Sequence, residues 1–386
     1  MNNLRRVLIV ARHYWPNTTD ATLRLRCRVA NLRRDGYSPV VVTPRWHTAW
    51  PKRIMCEETP VYRIDNPPHS QLRASRYWRN LTQWVALEMP TLDSIYCDAA
   101  DSDAYALLTQ LPRSGRPPIS VRYDPSELSQ NALGQWKPAP RCTDACRRAD
   151  TLIAPTALAH QQLLSLGVLD SAIIRQPDPP GMVVDRSVTA RSAARAMLAQ
   201  VNHDLFVRSQ DRVVVCPGEL TRDWGVDFLI KSLGPLVESR RSLKLWILGD
   251  GIERPRIYDA LQFAGLHRVV AMPGIFACMK PILQVADLCV LPAANRGLGW
   301  ALPTCIANNI PVVAADSLEL RELLGSQSSE LSFPANHDGA LHHWVTQWLR
   351  NSKAVERATT AARVNLVAES SRYTPVAIHL HNKAAQ

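Results

Sequence analysis

In the run NRGLGWALPT, Arg296 stands just ahead of two glycines and a helix-forming segment. A glycine turn that opens a helix offers backbone N–H groups to an anion. A guanidinium beside it pairs well with phosphate oxygens. Arg296, Gly297, Leu298 and Gly299 therefore suit phosphate binding, with a solvated loop arginine as the bland alternative. A second group lies in SVRYDPSEL, where Tyr123, Asp124 and Glu127 flank Pro125. Asp124 and Glu127 are the candidate carboxylates for acid–base work. Turn and cap duty is their structural alternative. A third group is cationic. In TLRLRCRVANLRR, Arg24 and Arg28 are one helical turn apart, and Arg26 and Arg33 are two turns apart on another face. They read either as a site for a phosphorylated acceptor or lipid headgroups, or as a solvated basic face.

Such residues need a scaffold that gathers loops at one edge. RRVLIV reads as a buried strand. In the cationic segment Leu25, Val29 and Leu32 share a helical face, and Gly36 ends the helix. SPVVVTP is the next strand, so a parallel sheet begins here. DSIYCDA, PPISVRYD and ADTLIAP continue it as strands, with DAYALLTQL and TALAHQQLLSLG as helices. RQPDPPG, residues 175–181, is a Pro-rich hinge. Beyond it a second series alternates RVVVCPG, LKLWILGDG, VVAMPG, DLCVLPA and PVVAAD with four helical segments. The expected fold class is α/β, two doubly wound Rossmann-like domains facing across a cleft. The first is residues 1–178, the second 179–365, and 366–386 is a helical tail drawn as crossing back to the first. Ligands of open parallel sheets bind outside the carboxyl ends of the strands.

The totals exclude several classes. With 386 residues, 46% hydrophobic and 20% charged, the chain is long enough for two cores and is not disordered. No run reaches the roughly 18 apolar residues of a membrane span. MNNLRRVLIVARHYW reads as a first strand and not as a signal peptide, which points to the cytoplasm. Nine scattered cysteines and eleven histidines make no metal or disulfide spacing. A net charge of +11 suits an anionic partner. With few aromatics and no nucleic-acid motif, that partner is not expected to be nucleic acid.

The order VVVCPGELTRDWGVDFLIKSL, LKLWILGDG, VAMPGI, ADLCVLPA and the Arg296 run resembles the donor domain of GT-B retaining glycosyltransferases of the group 1, or family 4, class. VLIVARHYWPNTTDATLRLRCRVANLRRDGYSPVVVT resembles their acceptor domain. The resemblance covers nearly the whole chain. It implies a cytoplasmic transferase, with possible peripheral contact to the inner face of a membrane. Such an enzyme moves a hexose from a nucleotide-sugar to a glycan or lipid-linked acceptor, retaining configuration and using no metal or other cofactor. Polysaccharide biosynthesis is the matching process.

Read residue by residue, the resemblance implies a donor site at Gly218, Glu219, Trp224, Gly249, Asp250, Gly274, Ile275, Arg296, Gly297, Leu298, Gly299 and Thr304. The acceptor side falls on Thr18, Thr19, Arg24 and Tyr123. The departures from the pattern concern charge. The family's donor-binding Arg and Lys fall on Glu219 and Trp224, and its two Glu residues on Arg296 and Thr304. A carboxylate about 4 Å from a diphosphate costs roughly 4 kcal/mol at an effective dielectric near 20. Trp224 either stacks on a ligand ring or packs. Arg296 either replaces the lost cation, pairs with Glu219, or is solvated. Thr304 keeps a hydroxyl for a ligand or is an ordinary helix residue. The alternative function is therefore a catalytically inactive homologue that serves as a binding or partner subunit. A sugar-nucleotide epimerase would want paired carboxylates and histidines, which these motifs lack.

Overall fold

The computed structural model describes residues 4–17, 19–124, 140–294, 297–335 and 337–372. Contacts divide the chain into two units. One is drawn from residues 1–17, 25–178 and the stretch from 370, the other from 18–24 and 179–369.

The first unit holds an eight-stranded sheet. Its strands are β1 (Arg5–Val10), β2 (Tyr37–Pro44), β3 (Arg53–Cys56), β4 (Thr59–Ile64), β5 (Ser94–Cys97), β6 (Ile119–Arg122), β7 (Thr151–Ala154) and β8 (Ile173–Arg175). They lie in the order β3-β4-β2-β1-β5-β6-β7-β8. All pairs are parallel except the β3–β4 hairpin at the edge. The helices are α1 (Asp20–Arg34), of which residues 20–24 group with the second unit, α2 (Gln71–Glu88), α3 (Ser102–Gln110), α4 (Pro140–Arg148) and α5 (Ala157–Ser165).

RRVLIV is apolar throughout because both faces of β1 are covered. Leu8 and Val10 pack into one core with Tyr77, Leu81 and Val85 of α2. Val7 and Ile9 pack into the other with Leu25, Val29 and Leu32 of α1. The strand order reverses between β1 and β5, so the carboxyl ends of these two strands form a switch point.

The second unit opens with α6 (Val188–Val201). It alternates β9 (Arg212–Pro217), α7 (Val226–Ser239), β10 (Leu243–Leu248), α8 (Arg254–Phe263), β11 (Val270–Gly274), α9 (Lys280–Val285) and β12 (Leu288–Leu291). It continues with α10 (Ala301–Ala307), β13 (Val312–Ala315), α11 (Leu318–Leu324), β14 (Ser332–Phe333), α12 (Asp338–Arg350) and α13 (Ser352–Arg372). Its six strands run in the order β11-β10-β9-β12-β13-β14. The ladders are parallel. Here the reversal falls between β9 and β12. Both sheets are thus the doubly wound kind read from the sequence, with a β3–β4 hairpin and an α2 helix that the periodic segments do not announce.

Candidate functional site

Glycines end three neighbouring strands of the second sheet, and they are packed against one another. Gly218 follows β9, and its N–H donates to the Leu248 carbonyl at 2.9 Å. Gly249 follows β10, and its N–H donates to the Gly274 carbonyl at the end of β11, also at 2.9 Å. Gly249 has φ of +127°, and a Cβ there would stand 1.8 Å from the Gly218 oxygen. A Cβ on Gly218 would fall 1.7 Å from a ring carbon of Trp224. These glycines therefore let three strand ends and an indole come together.

Trp224 is buried in the core with Cys216, Leu220 and Leu229. Burial pushes the Cys216 thiol up to about 12. The indole thus packs, and it covers the position where the resemblance places a lysine. Glu219, next to Gly218, is half-buried and makes no ion pair among the described residues.

Beside these strand ends is an open recess. Its floor is Pro217, Gly218, Leu248, Gly249 and Gly274, and its walls include Ile275, Phe276, Met279 and Trp300. Asp20 and Leu23, which group with the second unit, also line it. Among the described residues Asp20 is the one charged member of this lining, and its carboxylate accepts the Ala301 N–H at 3.4 Å, at the start of α10. Apolar side chains and exposed backbone groups suit a flat ring with a few hydrogen-bonding edges.

The neighbouring positions divide into those near the recess and those spent on packing. Gly297, Leu298 and Gly299 lead into α10, and Gly297 takes φ of +73°. The Asp250 backbone carbonyl accepts the Leu220 N–H at 2.9 Å, and its carboxylate lies 3.8 Å from Arg254. Thr304 is fully buried, and its hydroxyl accepts the Gly181 N–H at 2.9 Å. One turn on, Asn308 accepts Val184 N–H at 2.7 Å and donates to Met182 O at 2.9 Å. So the inner face of α10 holds down the segment 181–184. Arg296 lies outside the described residues, as do Thr18 and Glu127.

In the first unit, Tyr123 is buried and donates to Gln162 Oε1 at 3.0 Å. Desolvation raises its phenol. Asp124 accepts from Arg122. Arg122 also grips Asp178, at 3.2 Å from Nε and 2.6 Å from Nη2, and Arg28 joins it at 3.0 Å. Arg24 is buried. Arg26 pairs with Glu57, and Arg33 with Glu57 O and Glu58. Arg24, Arg26, Arg28 and Arg33 are thus buried or engaged and do not form a solvated face. Thr19 Oγ1 accepts the Thr22 N–H at 3.3 Å, at the start of α1.

A cluster that motif reading passes over sits at the switch point of the first sheet. Arg12, just past β1, donates to Asp103 at 2.8 Å. Trp78 Nε1 donates to the same carboxyl at 2.9 Å, and Tyr77 contributes its hydroxyl at 3.4 Å. Burial first, then the Asp101 charge, pushes Asp103 up to about 7, against the pull of Arg12. Next to Arg12, the His13 ring stacks on Trp46 at 5.0 Å, and Trp46 meets the edge of His69 at 5.1 Å. Desolvation and the Arg12 charge lower the His13 imidazole. The signal available in sequence was position alone, since these residues directly follow apolar strands. Among the described residues no group of three or more His, Cys, Asp or Glu could hold a metal ion.

Each unit thus holds a doubly wound sheet, and the second has a recess with a glycine floor. Residues 211–351 match the family described as glycosyl transferases group 1. Alpha-D-kanosaminyltransferase of Streptomyces kanamyceticus is 24% identical over 124 residues, which is 32% of this chain and 32% of that one. The chain thus matches about a third of the length of this curated relative. Sucrose-phosphate synthase of Thermosynechococcus elongatus superposes with a TM-score of 0.76 at 15% identity, covering 99% of this chain and 100% of that chain. Anabaena Alr3699/HepE in complex with UDP and glucose gives 0.66 at 16% identity, covering 99% and 98%. The fold is that of the GT-B glycosyltransferases, and the match to the group 1 glycosyl transferases is confined to residues 211–351.

Proposed function

We propose that this chain moves a hexose from a nucleotide-sugar to a glycan or lipid-linked acceptor, retaining configuration and without a metal. The observation that carries this reading is the recess at the strand ends of the second sheet. Ile275, Phe276 and Met279 offer apolar walls to a base, and the glycine floor lets a ligand approach backbone groups. Arg296 would then supply the positive charge for the diphosphate. The Arg12–His13–Trp46 cluster offers a ring platform and charged edges to an acceptor.

The acidic Glu219 and the packed Trp224 favour a second reading, in which a nucleotide-sugar or other anionic small molecule binds without turnover. A leaving diphosphate gains charge, and cations at those two positions would have stabilised it. The test uses the full chain with uridine, guanosine and adenosine diphosphate sugars, following release of the nucleoside diphosphate. Release that Arg296→Ala abolishes supports transfer. Saturable binding with no release from any sugar supports the second reading.

A further inference from the structure

The recess of the second unit has two unlike ends. The strand order β11-β10-β9-β12 puts Ile275 and Phe276, just past β11, three strand spacings from the segment after β12. At about 4.8 Å per spacing that is roughly 14 Å. The β11 end is apolar. The β12 end carries Trp300 and Asp20. Asp20 is half-buried and groups with the second unit. Its carboxylate is held at this end by the Ala301 N–H at 3.4 Å, where α10 begins. Among the described lining residues it brings the only side-chain oxygen. The one hydroxyl of α10, on Thr304, is fully buried and accepts the Gly181 N–H at 2.9 Å. Thr304 is therefore engaged by its own chain, and Asp20 is left as the polar side chain that a ligand meets.

We propose, resting on the nucleotide-sugar reading above, that Asp20 selects the sugar: its carboxylate accepts hydrogen bonds from the hexose hydroxyls. With the base against Ile275 and Phe276, the diphosphate crosses the glycine ends of β10 and β9. The hexose then reaches the β12 end, where Asp20 stands. A carboxylate suits hydroxyl groups, because it only accepts and its two oxygens can take two O–H groups at once. Such charged hydrogen bonds are stronger than neutral ones. A carboxylate does not suit phosphate, since like charges repel. Asp20 thus marks the sugar end of the ligand and not the diphosphate. It has about four acceptor positions, so holding the Ala301 N–H fixes the group without exhausting it. Asp20 also stands in the first turn of α1, where an acid favours the helix dipole. That structural duty alone would not separate a sugar from a bare nucleotide.

The experiment is calorimetric titration of the full chain and of Asp20→Asn. The ligands are UDP, GDP and ADP, each beside its conjugates: UDP-glucose, UDP-galactose, GDP-mannose and ADP-glucose. For the base that binds, Asp20→Asn should weaken a conjugate about tenfold, the difference between a charged and a neutral acceptor. It should leave the bare diphosphate unchanged or bound more tightly, since a negative charge near it is gone. Asp20→Ala should weaken the conjugate further. Melting temperatures show that each variant is folded, and Asp20→Asn decides if the alanine variant is not. An equal loss for conjugate and bare diphosphate would reduce Asp20 to a structural residue and overturn the assignment. So would an unchanged conjugate affinity. In both cases the nucleotide-sugar reading stands, because the diphosphate still binds the wild type. Absence of binding by every diphosphate and every conjugate overturns both.

Discussion

At the scale of single residues, the sharpest electrostatic feature is Asp103. Its carboxyl lies among Arg12, Asp101, Tyr77 and the Trp78 indole, and its folded value of about 7 stands well above the ordinary carboxylate value of 3.8. Between those two values the folded chain holds a proton that the unfolded chain releases. Stability from this group is therefore present at the acid end and is lost as pH rises through about 7. Asp103→Asn removes the titration. Compared with that variant, the wild-type urea midpoint should fall between roughly pH 4 and 7 and run parallel outside that window. Parallel curves throughout would show that the carboxyl is not shifted. This residue was illegible in the sequence. Its partner Arg12 is 91 positions away, and nothing in SDAYALLTQ marks one acid as buried. Leu25, Val29 and Leu32 were legible for the opposite reason, because helical spacing alone puts them on one face.

At the scale of elements, the carboxyl edge of β9, β10 and β11 is a set of interlocked strand ends. Trp224 enters the core only because Gly218 has no side chain, and Gly218 is fixed by Gly249 behind it. Trp224→Ala should cost about 3–5 kcal/mol, as large aromatic truncations in cores do. Gly218→Ala should be strongly destabilising in the wild type and much less so when Trp224 is already alanine. Urea unfolding of the two single variants and the double variant measures that coupling. Additive costs would mean that the indole and the glycine do not share the space. The glycines themselves were plain in the sequence. What they hold was not, because a motif shows which turns are permitted and not which ring fills them. In the same way, NRGLGWALPT announced a loop and a helix, but not that Thr304 and Asn308 face the segment 181–184.

At the scale of the whole molecule, the alternation of apolar runs and helical spacing disclosed both parallel sheets. Strands covered on both faces read as unbroken Val, Leu and Ile, as in β1 and β9. The edge hairpin β3–β4 and the helix α2 did not stand out. β3 is half solvated, and α2 interleaves arginines and tryptophans with its core positions. The spacing of Ala74, Tyr77, Leu81 and Val85 was nevertheless the signal that could have found α2. No described helix is long and apolar enough to cross a membrane. The recess of the second unit is proposed to take the nucleotide of a nucleotide-sugar. Calorimetric titration of the full chain with UDP, GDP and ADP tests it most directly, alongside Ile275→Asp. Ile275 is 49% exposed in the recess wall, so that substitution should leave the fold intact. Saturable binding of at least one nucleoside diphosphate to the wild type is expected, weakened at least tenfold, about 1.4 kcal/mol, by Ile275→Asp at unchanged melting temperature. No heat from any of the three, or binding that Ile275→Asp leaves untouched, would contradict it.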